Sequence, residues 1–177
     1  MKKFLSYLLM VILFSNCMQS EPRQPISNNS GTFIDASIHR NKQLNEIEYN
    51  EIKNLIQTFD KTVLSSNYGF WYYYNNKIET ASITPQFGDF VSFKYNIKSL
   101  NNELIYSKED LSIQNYYIDQ QELFSGLREG LKLMKEGEVI TFIFPSQKAY
   151  GYYGDNKRIS QNMPLICEVL LLKHRIN

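Results

Sequence analysis

The spacing of apolar positions changes several times along the chain, and each change predicts an element. Phe4 to Phe14 is a nearly unbroken apolar run behind Met1-Lys2-Lys3. From Lys42 the period becomes helical. Leu44, Ile47, Ile52, Leu55, Ile56, Phe59, Val63 and Leu64 form one apolar face, which predicts an amphipathic helix over 42–66. Ser65, Ser66, Asn67 and Gly69 break that pattern. Gly69-Phe-Trp-Tyr-Tyr-Tyr74 follows with a period of two, Phe70, Tyr72 and Tyr74 facing one way and Trp71 and Tyr73 the other, so both faces of this strand are aromatic. Phe90 to Ile97 alternates like a half-buried strand, and Asn101-Asn102 turns the chain after it, since asparagine tolerates the left-handed region. Asn115 to Asp119 reads as a further strand. Leu123, Leu127, Leu131 and Met134 then recur at helical spacing over 124–134. Gly137 stops that helix in a turn that suits a residue without Cβ. Val139 to Phe144 is a β-branched and aromatic strand ended by Pro145, and Leu165 to Leu172 is the last strand.

The residues before these elements differ in kind. A short basic start and an apolar stretch too short for a comfortable membrane span read as a secretory leader over 1–16. Leu13-Phe-Ser-Asn-Cys17 resembles a bacterial lipobox. Cleavage before Cys17 would free its sulfur for diacylglycerol and its new amine for acylation, and several acyl chains on one residue anchor stably. The expectation is a membrane-anchored lipoprotein of the cell envelope facing the periplasm. The alternative is a plain signal peptide with Cys17 incidental. Residues 17–41 carry Pro22, Pro25, Ser27, Asn28, Asn29, Ser30 and Gly31, a tether composition. The helix over 42–66 and a domain over 69–177 complete the organisation. The 42–64 stripe suits either a homodimer contact or packing onto its own domain. If Cys17 is lipidated, Cys167 is left as a free thiol that behaves as a small hydrophobe in an apolar strand; a Cys17–Cys167 disulfide is the alternative.

Composition narrows the function classes. The 177 residues suit one domain with appendages. A net charge of +1, falling to about −1 when Lys2 and Lys3 leave with the leader, argues against nucleic acid as a partner. The aromatic strand has no interleaved basic patch, so an RNA-stacking platform is set aside. His39 and His174 read as solvent residues without metal-ligand spacing, and neither a nucleophile–base constellation nor a phosphate-cradling glycine loop appears. No metal or cofactor is expected.

Phe124-Ser-Gly-Leu127, Gly130-Leu131, Met134 and Gly137-Glu138 run in order into Ala149-Tyr150-Gly151, and Pro85-Gln-Phe-Gly-Asp89 precedes them. In order and spacing these motifs resemble the FKBP family of peptidyl-prolyl isomerases over residues 69 to 173. The resemblance implies an α+β fold, a curved antiparallel β-sheet wrapped around a short central helix. It also implies a proline-holding pocket between them. Carried over position by position, it implies catalytic roles for Tyr95, for the backbone N–H of Phe124 and for the hydroxyl of Tyr150. Ile105, Tyr106, Leu123, Leu127, Ile159 and Cys167 would bind substrate, with Asp155 and Arg158 near the rim. Several positions depart from the pattern: Tyr106 stands where the family has an aspartate, Gln114 where it has an aromatic wall residue with Tyr116 nearby, Leu127 where it has a pocket-floor tryptophan, Cys167 where it has a phenylalanine, and Ile159-Ser-Gln161 where it has Ile-Pro-Pro. Tyr106 cannot act as a carboxylate at neutral pH. Tyr95, Leu127 and Cys167 also fit a plain core.

The lipobox, the Gly-Phe-Trp-Tyr-Tyr strand and Lys148-Ala-Tyr-Gly-Tyr-Tyr-Gly154 are similar to those of FKBP-type lipoproteins associated with gliding motility. That likeness implies isomerase activity on proline-containing exported clients. A non-catalytic FKBP-fold chaperone or scaffold is the alternative, and a structural lipoprotein working through its 42–64 helix is a third reading.

Overall fold

The computed structural model describes residues 30–79 and 83–177. The expected leader, the expected lipidation at Cys17 and the expected tether as far as residue 29 lie outside the described residues. The chain divides into two compact units, Met1–His39 and Arg40–Asn177. The described part of the first is helical, with Ile34 and Ile38 exposed.

Helix α1 spans Ser30–Gln57, so the expected boundaries move at both ends. Residues 30–41 are helix and not tether, because Gly31 is the last breaker and neither glycine nor proline occurs from Thr32 to Gln57. At the other end Thr58 Oγ1 donates to the Leu55 carbonyl at 2.7 Å, and the chain leaves the helix seven residues before Leu64. Leu64 is not on the helical stripe but begins strand β1 (Leu64–Ser65), paired antiparallel with Tyr72 and Trp71.

The second unit holds an antiparallel sheet of eight strands. After β1 come β2 (Trp71–Asn76), β3 (Phe90–Tyr95), β4 (Ile97–Lys98), β5 (Leu104–Tyr106), β6 (Gln114–Tyr117), β7 (Val139–Phe144) and β8 (Leu165–Arg175). Their order across the sheet is β1-β2-β7-β8-β3-β6, with β4 joining β5 to β8. A short helix α2 (Lys108–Leu111) lies between β5 and β6, and α3 (Ser125–Leu131) between β6 and β7. Strand β7 has the bounds its apolar run predicts. Asn102, with φ 65°, takes the left-handed conformation expected of the turn before β5, and Gly137, with φ +87°, does so between α3 and β7.

The two faces of the sheet bury different partners. Leu127, Leu131 and Met134 are fully buried on the inner face, with Phe93, Phe142, Phe144, Leu165, Cys167 and Val169. On the outer face Ile52 of α1 packs with Ile143 and Ile166, flanked by Leu55, Ile56, Phe59 and Trp71. Strand β2 shows the expected alternation. Tyr72 and Tyr74 pack inward, whereas Trp71 meets Tyr49 at 5.3 Å between ring centroids and Tyr73 meets Phe59 at 5.5 Å.

His174 is not a solvent residue. Because β8 runs on to Arg175, its imidazole is carried against Asp89 (Nε2 to Oδ2, 2.9 Å), with both side chains less than a tenth exposed. Asp89 also accepts from the backbone N–H of Gln86 at 2.9 Å and of Asn177 at 3.1 Å. Burial alone would raise its carboxyl, but these donors and His174 hold it below the usual carboxylate range.

Candidate functional site

The loop after β7 begins at Pro145 and makes one 3₁₀ turn, Ser146–Lys148. The Ser146 carbonyl accepts from the N–H of Ala149 at 3.0 Å and of Gly151 at 2.8 Å, which brackets Tyr150 between two fixed amides. Tyr150 lies against Phe124, the residue that precedes α3, with the rings tilted by 41° and 5.2 Å between centroids, and Phe124 meets Phe144 edge-on at 5.4 Å. The Tyr150 hydroxyl has no hydrogen-bond partner among the described residues. Burial is the main reason its pKa is pushed up to about 12, with the Cys167, Asp155 and Tyr106 groups adding to it.

Tyr150 forms part of a cavity of about 540 Å³. Tyr106, Asp110 and Leu111 line it from the β5–α2 segment, and Asp155, Lys157 and Arg158 from the loop after Tyr150. The expected aspartate is absent at position 106, yet a carboxylate stands beside that position. Tyr106 Oη donates to Asp155 Oδ2 at 2.5 Å. Asp155 Oδ1 in turn accepts from the N–H of Lys157 (2.8 Å), Arg158 (3.0 Å) and Ile159 (2.8 Å). Burial opposes ionisation of Asp155, but the Tyr106 hydroxyl and these three amides hold its pKa below the ordinary value. The same hydrogen bond, with burial, raises that of Tyr106. The Arg158 guanidinium lies over the Tyr106 ring at 4.9 Å, donates to the Ile105 carbonyl at 3.0 Å and pairs with Asp110 at 3.4 Å. Tyr106 is therefore held from both sides and forms a wall.

The expected site residues gather on one core but occupy two layers. Tyr106 and Tyr150 line the cavity. Ile105, Leu123 and Phe124 are half-buried against the same inner core. Tyr95, Leu127, Ile159 and Cys167 are buried within it, Leu127 and Cys167 with no exposed surface at all, so these two back the cavity and do not line it. Burial raises the pKa of both Tyr95 and the free Cys167 thiol. Nothing among the described residues accepts a hydrogen bond from the Phe124 N–H.

Leu111 and Lys157 are lining residues that sequence reasoning missed, together with the helix α2 that carries Leu111. A signal for α2 was present. Ser107 and Asp110 have capping-box spacing, and each side chain accepts from the other's backbone N–H at 3.0 Å. Gln114 does not form an aromatic wall; its side chain amide donates to the Leu111 carbonyl and ties α2 to β6. Tyr116 is buried in the inner core, where its hydroxyl contacts the Gln121 carbonyl at 3.3 Å.

Comparison with known proteins gives the family and the fold. The profile of the family described as FKBP-type peptidyl-prolyl cis-trans isomerase matches residues 81–172, more than half of the chain. Among solved structures, the chain is similar to a peptidyl-prolyl cis-trans isomerase from Pseudomonas syringae pv. tomato str. DC3000, with a TM-score of 0.62 and 18% identity over 76% of this chain and 96% of that one. It is also similar to FkpA from Escherichia coli, with a TM-score of 0.61 and 22% identity over 99% of this chain and 82% of that one. At these identities the two structures speak for the fold.

Proposed function

Because the chain belongs to the FKBP-type peptidyl-prolyl cis-trans isomerase family, we propose that it turns X–proline bonds in exported proteins of the cell envelope, at the cavity beside Tyr150. The observation that carries this reading is the free Tyr150 hydroxyl in an open cavity whose other tyrosine, Tyr106, is tied back to Asp155. Rotation about an X–proline bond meets a barrier of about 18–20 kcal/mol from amide resonance, and no covalent step is needed to lower it. The twisted transition state has lost conjugation. Fixed donors on the flanking carbonyl and a wall against the ring favour it over the planar ground state. In this reading the Phe124 N–H and the Tyr150 hydroxyl are the donors, and Tyr106 and Tyr150 enclose the ring. A barrier lower by about 4 kcal/mol gives a thousandfold acceleration.

The anchor and the setting are further parts of the proposal. Met1-Lys2-Lys3, the apolar run and Cys17 support a lipoprotein facing the periplasm. The motif likeness to gliding-motility lipoproteins supports clients in that machinery. Leu44 and Ile47, exposed on α1, support a homodimer contact. Radiolabelled palmitate should enter the wild type and not Cys17→Ser.

The central test is a proline-peptide isomerisation assay on the purified protein. The wild type should accelerate exchange, Tyr150→Phe should lose about tenfold in kcat/KM, and Phe124→Asp should lose nearly all of it. A wild type no faster than solvent that still binds proline peptides would leave the non-catalytic chaperone or scaffold in its place.

A further inference from the structure

Between Arg40 and Glu51, Glu48 is the one buried side chain on a helix otherwise exposed to water. A carboxylate goes to such a place at a cost unless donors meet it. Here two do, both from one residue. The Ser146 N–H reaches Glu48 Oε1 at 2.5 Å and the Ser146 hydroxyl reaches Oε2 at 2.7 Å. Ser146 opens the 3₁₀ turn, and its carbonyl holds the amides on both sides of Tyr150. The partners lie 98 residues apart in sequence, and the surroundings are loosely filled. Two hollows, of about 330 and 230 Å³, both have Glu48 and Gln147 in their lining. The tie between helix and turn is thus made by hydrogen bonds and not by close apolar packing.

The opposite end of the turn is gripped by α3. Ser125 Oγ lies 3.5 Å from the Lys148 carbonyl, and a Cβ added at Gly126 would sit 2.7 Å from that same oxygen. The turn is held at Ser146 by α1 and at Lys148 by the helix that carries the inner core.

We propose that Glu48 is a positioning residue for Tyr150: through Ser146 it braces the turn that aims the tyrosine hydroxyl into the cavity, which makes the N-terminal helix a working part of the isomerase. The proposal rests on the isomerase reading of the cavity. A displacement of about 1 Å at a donor is enough to cost turnover heavily while binding of the ring survives. Glu48→Ala should therefore lower kcat about tenfold and leave KM within about twofold. Glu48→Gln keeps a carbonyl for the Ser146 N–H and should recover most of the loss. Ile52→Ala, four residues on and turned toward the outer core, should lower the melting temperature yet leave kcat per folded molecule unchanged.

Amide hydrogen exchange gives a readout independent of turnover. Glu48→Ala should speed exchange at Ala149 and Gly151 selectively, and Ser146→Ala, which removes one of the two bonds, should do so by less. Wild-type kcat together with wild-type exchange in Glu48→Ala overturns the brace, as does an equal loss of kcat in Ile52→Ala. An inactive wild type overturns the isomerase reading instead, and exchange at Ala149 and Gly151 then decides the brace alone.

Discussion

The inner and outer faces of the sheet are built from the same alternating strands, yet they are filled in different ways. The inner face is covered by α3, a helix of seven residues whose own Leu127 and Leu131 are fully buried together with Phe142 and Phe144 of β7. The outer face is covered by part of α1, through a small cluster around Ile52, Ile143 and Ile166. It also carries a polar seam, in which Asn75 Nδ2 donates to Thr141 Oγ1 at 2.7 Å and Lys108 pairs with Glu168 at 2.6 Å. The contrast teaches a division of labour. Packing on the inner face shapes the cavity directly, whereas on the other side α1 meets the loop that carries Tyr150 through the two hydrogen bonds that Ser146 donates to Glu48.

Adjacent residues on β7 put this division to the sharpest test. Phe142→Ala empties the inner core, contacting Phe70 and Phe144 at 5.8 and 5.5 Å between ring centroids, and should cost about 3–5 kcal/mol with loss of activity in the folded fraction. Ile143→Ala, one residue on and facing α1, should cost about 2–5 kcal/mol while the folded fraction keeps its kcat/KM. Denaturant melts paired with the isomerisation assay read both. Equal activity loss from the two would end the proposed separation of faces.

Gly126→Ala comes next in size. The added methyl would lie 2.5 Å from the Phe144 ring and 2.7 Å from the Lys148 carbonyl, so one of them must move. The expected cost is about 1–3 kcal/mol, with activity falling further than the stability change accounts for, because the displaced turn carries Tyr150. Wild-type activity in a folded Gly126→Ala would show that the turn tolerates displacement.

Asp155→Asn should act within the site alone. It weakens the acceptor for three backbone amides and for Tyr106, and a drop of a few degrees in melting temperature with a several-fold loss in kcat/KM is expected, consistent with the removal of a charge-assisted bond worth about 1.5–3 kcal/mol. Activity that rises in this variant would reassign the Tyr106–Asp155 pair as a block over the cavity.

The smallest effect is expected from pH. The cavity tyrosines are held above their ordinary range and Asp110 and Asp155 below theirs, so kcat/KM should be flat between about pH 6 and 9. Stability has a definite sign. Asp89, Asp110 and Asp155 all bind protons more weakly folded than unfolded, so their contribution is fully present above the unfolded carboxylate pKa of about 3.9 and is lost as pH falls through the lower folded values. A bell-shaped rate profile centred near neutrality would contradict the non-titrating mechanism.

Much of this was readable from the chain. The apolar run at 139–144 is β7 without adjustment, and Tyr150 lies at the cavity; of the predicted stripe over 124–134, Leu127, Leu131 and Met134 are fully buried, while the helix itself covers only Ser125–Leu131 and Leu123 lies half-buried ahead of it. Each of these depends on near neighbours in sequence. What stayed hidden is long-range pairing of polar groups. Tyr106 finds its carboxylate 49 residues away, and Glu48 its donors 98 away, and no local period encodes either meeting. His174 looked like a terminal solvent residue because nothing near it in sequence announces Asp89. The start of α1 was misplaced for another reason: Pro22, Pro25 and the Ser/Asn run colour the composition of the whole stretch, although the last breaker is Gly31.

Cys167, sealed in the inner face with its thiol kept protonated by burial, offers a built-in clock. A thiol reagent can modify it only when that interior breathes open, so the labelling half-time under native conditions measures how often the layer behind the cavity exposes itself. With Cys17 acylated, the signal would come from this single sulfur.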